Sequence, residues 1–268
     1  MRRAAGFTLV ELVMVIVLLA IVATISVQFV ALSTQGAIDT GDRQQRALKA
    51  VVVSEQITRM LREAFPLSVR VTGPTDNCIE WLPIVGATRY TELPKAGGST
   101  IEVVPFSRTP DDDSVRAVVY GYGGSADDVA AKFYQSALQN PGPISPEIVK
   151  PIDNSTVPVS INLDAPHRFS AKSPARRLYV VSRPQALCSE PDGEFEELAL
   201  YRGYNVGASY DRGNRDVLAA NLKGPAEFFV KPISLRRAAV VSFSFDLATP
   251  GSTETLEVSQ EVQIRNVP

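Results

Sequence analysis

The chain has 268 residues, 27 basic against 29 acidic side chains, a formal net charge of −2 and 45% hydrophobic residues. That length allows a buried core in one large domain or two small ones, and the near-neutral charge argues against a nucleic-acid binder, which shows a basic excess or stripe. Two cysteines exclude a disulfide-dense mini-scaffold or a Cys-rich zinc module, and the single histidine, His167, removes most His-based metal sites. The apolar residues are unevenly placed. Hydrophobic residues fill 22 of the first 30 positions, against about 41% of the remaining 238.

The N-terminal segment opens with Arg2 and Arg3, then runs Gly6-Phe7-Thr8-Leu9-Val10-Glu11 into an unbroken apolar stretch from Leu12 to Ala23. Between Glu11 and Asp39 lie 27 uncharged positions. As a helix, Phe7 to Val27 spans about 31 Å at 1.5 Å per residue, close to the roughly 30 Å hydrocarbon thickness of a bilayer. Arg2 and Arg3 place the N-terminus in the cytoplasm by the positive-inside rule and the rest on the far side. An ordinary signal peptide would need small residues after the apolar run, and Thr24-Ile25-Ser26 is a poor match to the A-x-A pattern. Nor does a plain anchor have a use for Glu11, since a carboxylate at the bilayer centre costs about 2–3 kcal/mol or more.

This string resembles the class III signal of type IV pilins and type II secretion pseudopilins: glycine, phenylalanine, then glutamate at the fifth mature position, all ahead of the apolar run. The resemblance implies cleavage by a prepilin peptidase after Gly6, N-methylation of Phe7 and retention of the apolar segment. It implies as partners other pilin subunits, the inner membrane and a pilus assembly platform, with no nucleic acid, no cofactor and no enzymatic activity. The physics of Glu11 agrees. The new α-amino group on Phe7, with an ordinary pKa near 8, is cationic, and Glu11 follows one turn later, about 6 Å along the axis. In a filament, the glutamate of one subunit would neutralise a neighbour's amine, a pairing that chiefly selects register.

In chain order, the reading is a leader over 1–6, a membrane or filament-core helix over 7–30, an amphipathic continuation over 31–66 and a β-rich head over 67–268. Leu48, Val51 and Val52, with Ile57, Met60, Leu61, Ala64 and Phe65, recur at spacings of three and four and predict an apolar stripe packed on a sheet. Gly36 and Gly41 mark an expected kink, and Pro66 ends the helix. Strands are expected at Leu67–Thr72, Cys78–Leu82, Ile101–Phe106, Val115–Gly121, Val157–Leu163, Arg177–Ser182, Glu197–Arg202, Glu227–Val230, Ala239–Leu247 and Leu256–Arg265. A short helix is expected at Asp127–Leu138. The whole is an α+β, pilin-like fold: a long N-terminal helix packed on a head of antiparallel sheets.

Cys78 and Cys188 both follow the membrane segment, hence lie in an oxidising compartment, and are expected to form a disulfide; a catalytic thiol would need His167 beside it. Asp111, Asp112 and Asp113 are a weak candidate for calcium, otherwise a solvated loop tip. Gly121-Tyr122-Gly123-Gly124-Ser125 lacks a dinucleotide fingerprint and reads as a turn. The pairs Arg176-Arg177 and Arg236-Arg237 are too sparse for a nucleic-acid surface.

Three head stretches, Cys78–Ile84, Ser173–Ser182 and Glu261–Pro268, resemble the O-type minor pilins of mannose-sensitive haemagglutinin pili, low-copy subunits that prime assembly or cap the tip. J-type minor pseudopilins of type II secretion share the plan. A membrane-anchored periplasmic enzyme or ligand-binding module is the reading from another class. Loss of Arg2 and Arg3 with the leader would leave 25 basic against 29 acidic side chains.

Overall fold

The computed structural model describes residues 8–73, 77–95, 97–122, 130–135, 139–207, 215–231, 238–252 and 254–265. The chain divides into two compact units, residues 1–48 and 49–268. One helix, α1 (Leu9–Arg62), crosses the boundary without a break, so Gly36 and Gly41 lie inside regular helix instead of marking a kink. A glycine at each position costs helix propensity without removing a backbone hydrogen bond, and neither has a neighbour that would force a bend.

Within the second unit, α1 buries Ala50, Val53, Ile57, Leu61 and, just past its end, Ala64. The spacing of three, four, four and three is one face of a helix. Of the expected stripe, Ile57, Leu61, Ala64 and Phe65 are buried and Met60 packs against the core, whereas Leu48, Val51 and Val52 are 54–60% exposed, so its first part is corrected to Ala50 and Val53. Small Ala50, which a search for large apolar residues overlooks, and the expected Ala64 pack in the same core as the sheet residues. The helix stops at Arg62, ahead of Pro66, and its exit is stitched in place. Phe65 N–H donates to Leu82 O at 2.7 Å and Ile84 N–H to Glu63 O at 2.8 Å.

Among the described residues fourteen strands follow: β1 (Arg70–Thr72), β2 (Cys78–Trp81), β3 (Ile84–Glu92), β4 (Thr100–Val103), β5 (Arg116–Val118), β6 (Ile144–Glu147), β7 (Val159–Asn162), β8 (Arg177–Val181), β9 (Gln185–Asp192), β10 (Phe195–Tyr201), β11 (Arg215–Leu222), β12 (Glu227–Lys231), β13 (Ala239–Ala248) and β14 (Thr255–Ile264). They form an eight-stranded sheet, β1-β2-β9-β10-β11-β13-β12 with β14 also on β13, and a six-stranded sheet, β6-β5-β8-β3-β4-β7. The pairings within both sheets are antiparallel. The fold is therefore the α+β, pilin-like arrangement of a long helix on an antiparallel head.

The larger sheet takes the helix on one face, with Ile79, Trp81, Leu187, Leu198, Leu200, Val241, Phe243 and Phe245 in the same core as Ile57 and Leu61. Strict alternation along β13, buried at Ala239, Val241, Phe243, Phe245 and Leu247, is what period-two side-chain direction requires of a half-covered sheet. The smaller sheet has its own core around Ile101, Val103, Ala117, Val159, Ile161 and Val180. Leu82-Pro83 joins the two sheets by carrying β2 of the first into β3 of the second.

Several sequence expectations shift. Leu67–Thr72 begins as a 3-10 turn, Pro66–Ser68, because the Ser68 side chain is spent on Phe65 O and Leu82 N–H; only Arg70–Thr72 pairs. Strands β3, β6, β9 and β11 were not expected. Pro146 and Pro191 hide β6 and β9, yet β6 is an edge strand and Pro191 lies beyond the last β2 partner, so neither removes a needed donor. Of the helix expected at Asp127–Leu138, the residues 127–129 and 136–138 lie outside the described residues; Ala130 and Ala131 are helical, and the chain then turns so that Phe133 and Tyr134 can both be buried.

Cys78 and Cys188 face each other directly in the β2–β9 register, with Cα atoms 4.1 Å apart, and are joined by a disulfide. The bond closes a 110-residue separation, for which the chain-entropy model gives about 4–5 kcal/mol. Replacing both cysteines by alanine is expected to lower the unfolding free energy by roughly 3–5 kcal/mol, read from urea denaturation of wild type and variant. An unchanged midpoint would show that the sheet register alone holds these strands.

Candidate assembly site at the helix N-terminus

The start of α1 is shaped by Thr8, whose hydroxyl accepts a hydrogen bond from Glu11 N–H at 3.3 Å. Thr8-Leu9-Val10-Glu11 has the spacing of a capping box, with threonine at the N-cap and glutamate three residues on. The sequence reading gave Glu11 a role but missed this second one, which the T-x-x-E spacing signals. Negative charge in the first helical turn is favourable by about 0.3–1 kcal/mol at exposed sites, so the fold tolerates Glu11 where mid-helix placement would not. Gly6 and Phe7 lie outside the described residues.

Glu11 is the only charged residue on an otherwise apolar surface. Leu9, Val10 and Met14 around it are 60–79% exposed, and the further large apolar residues down to Leu32 are 42–76% exposed. Among the described residues, α1 is the one helix long and apolar enough to cross a membrane. A carboxylate on such a surface can do one of two things once the surface is covered: meet a cation or remain close enough to water to stay solvated.

In the head, Glu80 is the best-connected buried charge. It sits opposite Arg70 in the β1–β2 register and accepts from Arg70 Nη2 at 2.6 Å and from Tyr204 Oη at 2.7 Å. The Arg70 guanidinium lies 3.9 Å from the centre of the Tyr134 ring, and Tyr134 Oη donates to Ser68 O at 2.8 Å. Burial, reinforced by the Glu80 charge, pushes both phenols well above their ordinary pKa, so they act as hydrogen-bond donors throughout the physiological range. Every member is spoken for, which makes this a structural lock between β1, β2 and the chain after β10.

The remaining sequence candidates stand apart. Both cysteine sulfurs are consumed by the disulfide. His167 is buried, with Nε2 3.3 Å from Gly142 O and its ring edge-on to Phe169 at 4.8 Å. Asp111, Asp112 and Asp113 are exposed between β4 and β5, and the structure does not gather their carboxylates: among the described residues no group of three His, Cys, Asp or Glu is placed to hold a metal ion. Gly121 earns its place by packing, since a Cβ there would meet Phe133 Cζ at 2.8 Å.

A family model described as the prokaryotic N-terminal methylation motif matches residues 1–27. The comparison with curated proteins and the comparison with solved structures each return no match. The motif, together with the apolar helix behind it, supports a pilin-like or pseudopilin subunit and implies processing by a prepilin peptidase and assembly with other pilins.

Two consequences follow for the head. Glu80→Ala leaves Arg70 without its carboxylate and Tyr204 without an acceptor, and is expected to cost about 2–4 kcal/mol, with Glu80→Gln milder because Tyr204 keeps a partner; denaturant titration of both variants checks the order. Burial holds His167 below its ordinary pKa of 6.5, partly offset by its bond to Gly142. Below about pH 6.5 the unfolded chain therefore binds a proton that the folded chain resists, so stability falls as pH drops. The melting temperature of wild type is expected to fall more between pH 7.5 and 5.5 than that of His167→Gln, and equal slopes would contradict this.

Proposed function

We propose that this chain is a minor pilin that helps assemble a type IV pilus, by priming the filament or capping its tip. The observation that carries the reading is a helix whose first half is apolar on all sides, uncovered, and charged only at Glu11, placed directly behind a Gly-Phe processing motif. A peptidase cut after Gly6 would create a cationic amine on Phe7 next to the capped turn that holds Glu11, giving one end of each subunit both partners of an intersubunit ion pair. In this reading residues 1–6 are the leader, 7–30 the membrane and later filament-core helix, 31–66 its continuation and 67–268 the periplasmic head. The chain waits in the inner membrane with its N-terminus cytoplasmic, then reaches the cell surface with the filament.

The mannose-sensitive haemagglutinin type is favoured by the three head stretches that resemble its O-type minor pilins. Their described residues include β2 with the disulfide, β8 in the smaller sheet and the last part of β14 in the larger one. A J-type pseudopilin of type II secretion would use the same processing and helix; co-isolation with pilus or with secretion components separates the two. The reading as a membrane-anchored enzyme or ligand-binding module draws less support: among the described residues no group of three His, Cys, Asp or Glu is placed to hold a metal ion, and Glu80 is paired with Arg70 and Tyr204.

Glu11→Val is expected to insert in the membrane and be processed as wild type, yet to fall at least about tenfold in the sheared filament fraction relative to the membrane fraction, the scale of an unpaired buried charge. Equal incorporation of wild type and variant would overturn the role given to Glu11.

A further inference from the structure

Strand β14 pairs with β13 along all ten of its residues without a register shift. Among the described residues its other edge meets no strand and makes no backbone hydrogen bond. Alternate residues of a strand turn their N–H and C=O groups to opposite sides, so about half of the β14 backbone faces outward without a protein partner. The other ends of the two sheets are short: three residues in β1, four in β6 and in β7, five in β12. A protein that keeps an edge to itself blunts it with proline, lysine or a bulge. Thr255–Ile264 carries no proline, no basic residue and no bulge.

The two rows of side chains on β14 define what would complete it. On the core side Val262 and Ile264 are buried, but Leu256 and Val258, which pack on the same core, are only half-buried. The rim of the core is therefore open along the first part of the strand. Gln260 stands in this row opposite Phe243, and its amide makes no hydrogen bond among the described residues. The outer row is Glu257, Ser259, Glu261 and Gln263, all exposed, and neither glutamate has an ion pair among the described residues. We infer that the free edge of β14 receives an extended segment of a different subunit, in which apolar residues alternate with basic ones. Its backbone would pair with the outward N–H and C=O groups, its apolar side chains would cover Leu256 and Val258, and its cations would stand beside Glu257 and Glu261. In the pilin reading, on which the choice of occupant rests, every copy enters the membrane in one direction. Antiparallel pairing of two β14 edges about a two-fold would reverse the part of α1 that lies on the sheet, and parallel pairing would set the apolar row of one copy beside the acidic row of the other. A second copy thus fits this edge less well than a different chain.

The test uses full-length protein in detergent micelles and a fluorescent peptide, acetyl-Thr-Val-Lys-Val-Thr-Val-Lys-Val-Thr-amide, whose lysines share the four-residue spacing of Glu257 and Glu261. Fluorescence anisotropy is expected to show saturable binding, and amide hydrogen exchange is expected to slow within Thr255–Ile264. Glu257→Lys/Glu261→Lys, two exposed changes that leave the core row intact, is expected to weaken binding about tenfold and to bind better the same peptide with glutamate in place of lysine. Two further peptides carry N-methyl groups on alternate residues, one set on each edge. One of them is expected to lose binding and the other to keep it, because a strand uses a single edge to pair. No binding, slowed exchange elsewhere but not in β14, indifference to charge reversal, equal behaviour of the two methylated peptides, or concentration-dependent dimers cross-linked through β14 would each overturn the inference. The pilin reading stands on the separate filament measurement with Glu11→Val, so a silent peptide strikes this edge alone.

Discussion

Everything in this protein depends on the need to cover the first half of α1. From Leu9 to Leu32 apolar side chains point in every direction around the helix, most of them more than half exposed. At about 25 cal/mol per Å² of apolar surface, no water-exposed arrangement of such a helix is stable. Its surface requires lipid, or other helices of the same kind. Glu11 makes the two environments unequal. Lipid offers its carboxylate no partner, whereas in the proposed assembly a neighbouring subunit would bring a cationic amine, and one charge would turn non-directional burial into a defined register.

The second half of the helix solves a different problem. From Ala50 onward only one face is apolar, and that face is the wall of the larger sheet's core. The second strand after the helix, β2, is buried on both sides and carries three constraints within four residues: Trp81 and Ile79 toward the helix, Cys78 into the disulfide and Glu80 into the lock with Arg70 and Tyr204. Backbone hydrogen bonds from Phe65 and Ile84 tie the helix exit to the start of β3. Covalent, ionic and apolar restraints are thus concentrated on one short strand beside the helix exit.

The functional end was legible because its signals are local. Charge, length and hydropathy in Arg2 to Val30 need no tertiary information; the Thr8–Glu11 cap, equally local, is signalled by its spacing but was missed. The Cys78–Cys188 pairing followed from counting, since two cysteines leave one choice. Strands β13 and β14 were legible through their alternation. What failed was context. Whether Leu48, Val51 and Val52 or Ala50 and Val53 face the sheet is decided by a rotation of the helix, and both sets have helical spacing. β9 carries Pro191 and β6 carries Pro146, which are acceptable only because of which neighbours those strands lack. The Glu80 lock joins residues up to 124 positions apart and no spacing announces it.

The central claim is that the apolar helix is kept while a short leader is removed ahead of it. Mass spectrometry of the N-terminal peptide, from protein extracted from membranes of a strain with an active prepilin peptidase, reads this directly. The expected peptide begins at Phe7, carries one methyl group on its amine and continues through Glu11 into the apolar run. A chain still beginning at Met1, or one cut after the apolar run so that Leu12 to Ala23 is lost, would contradict the claim.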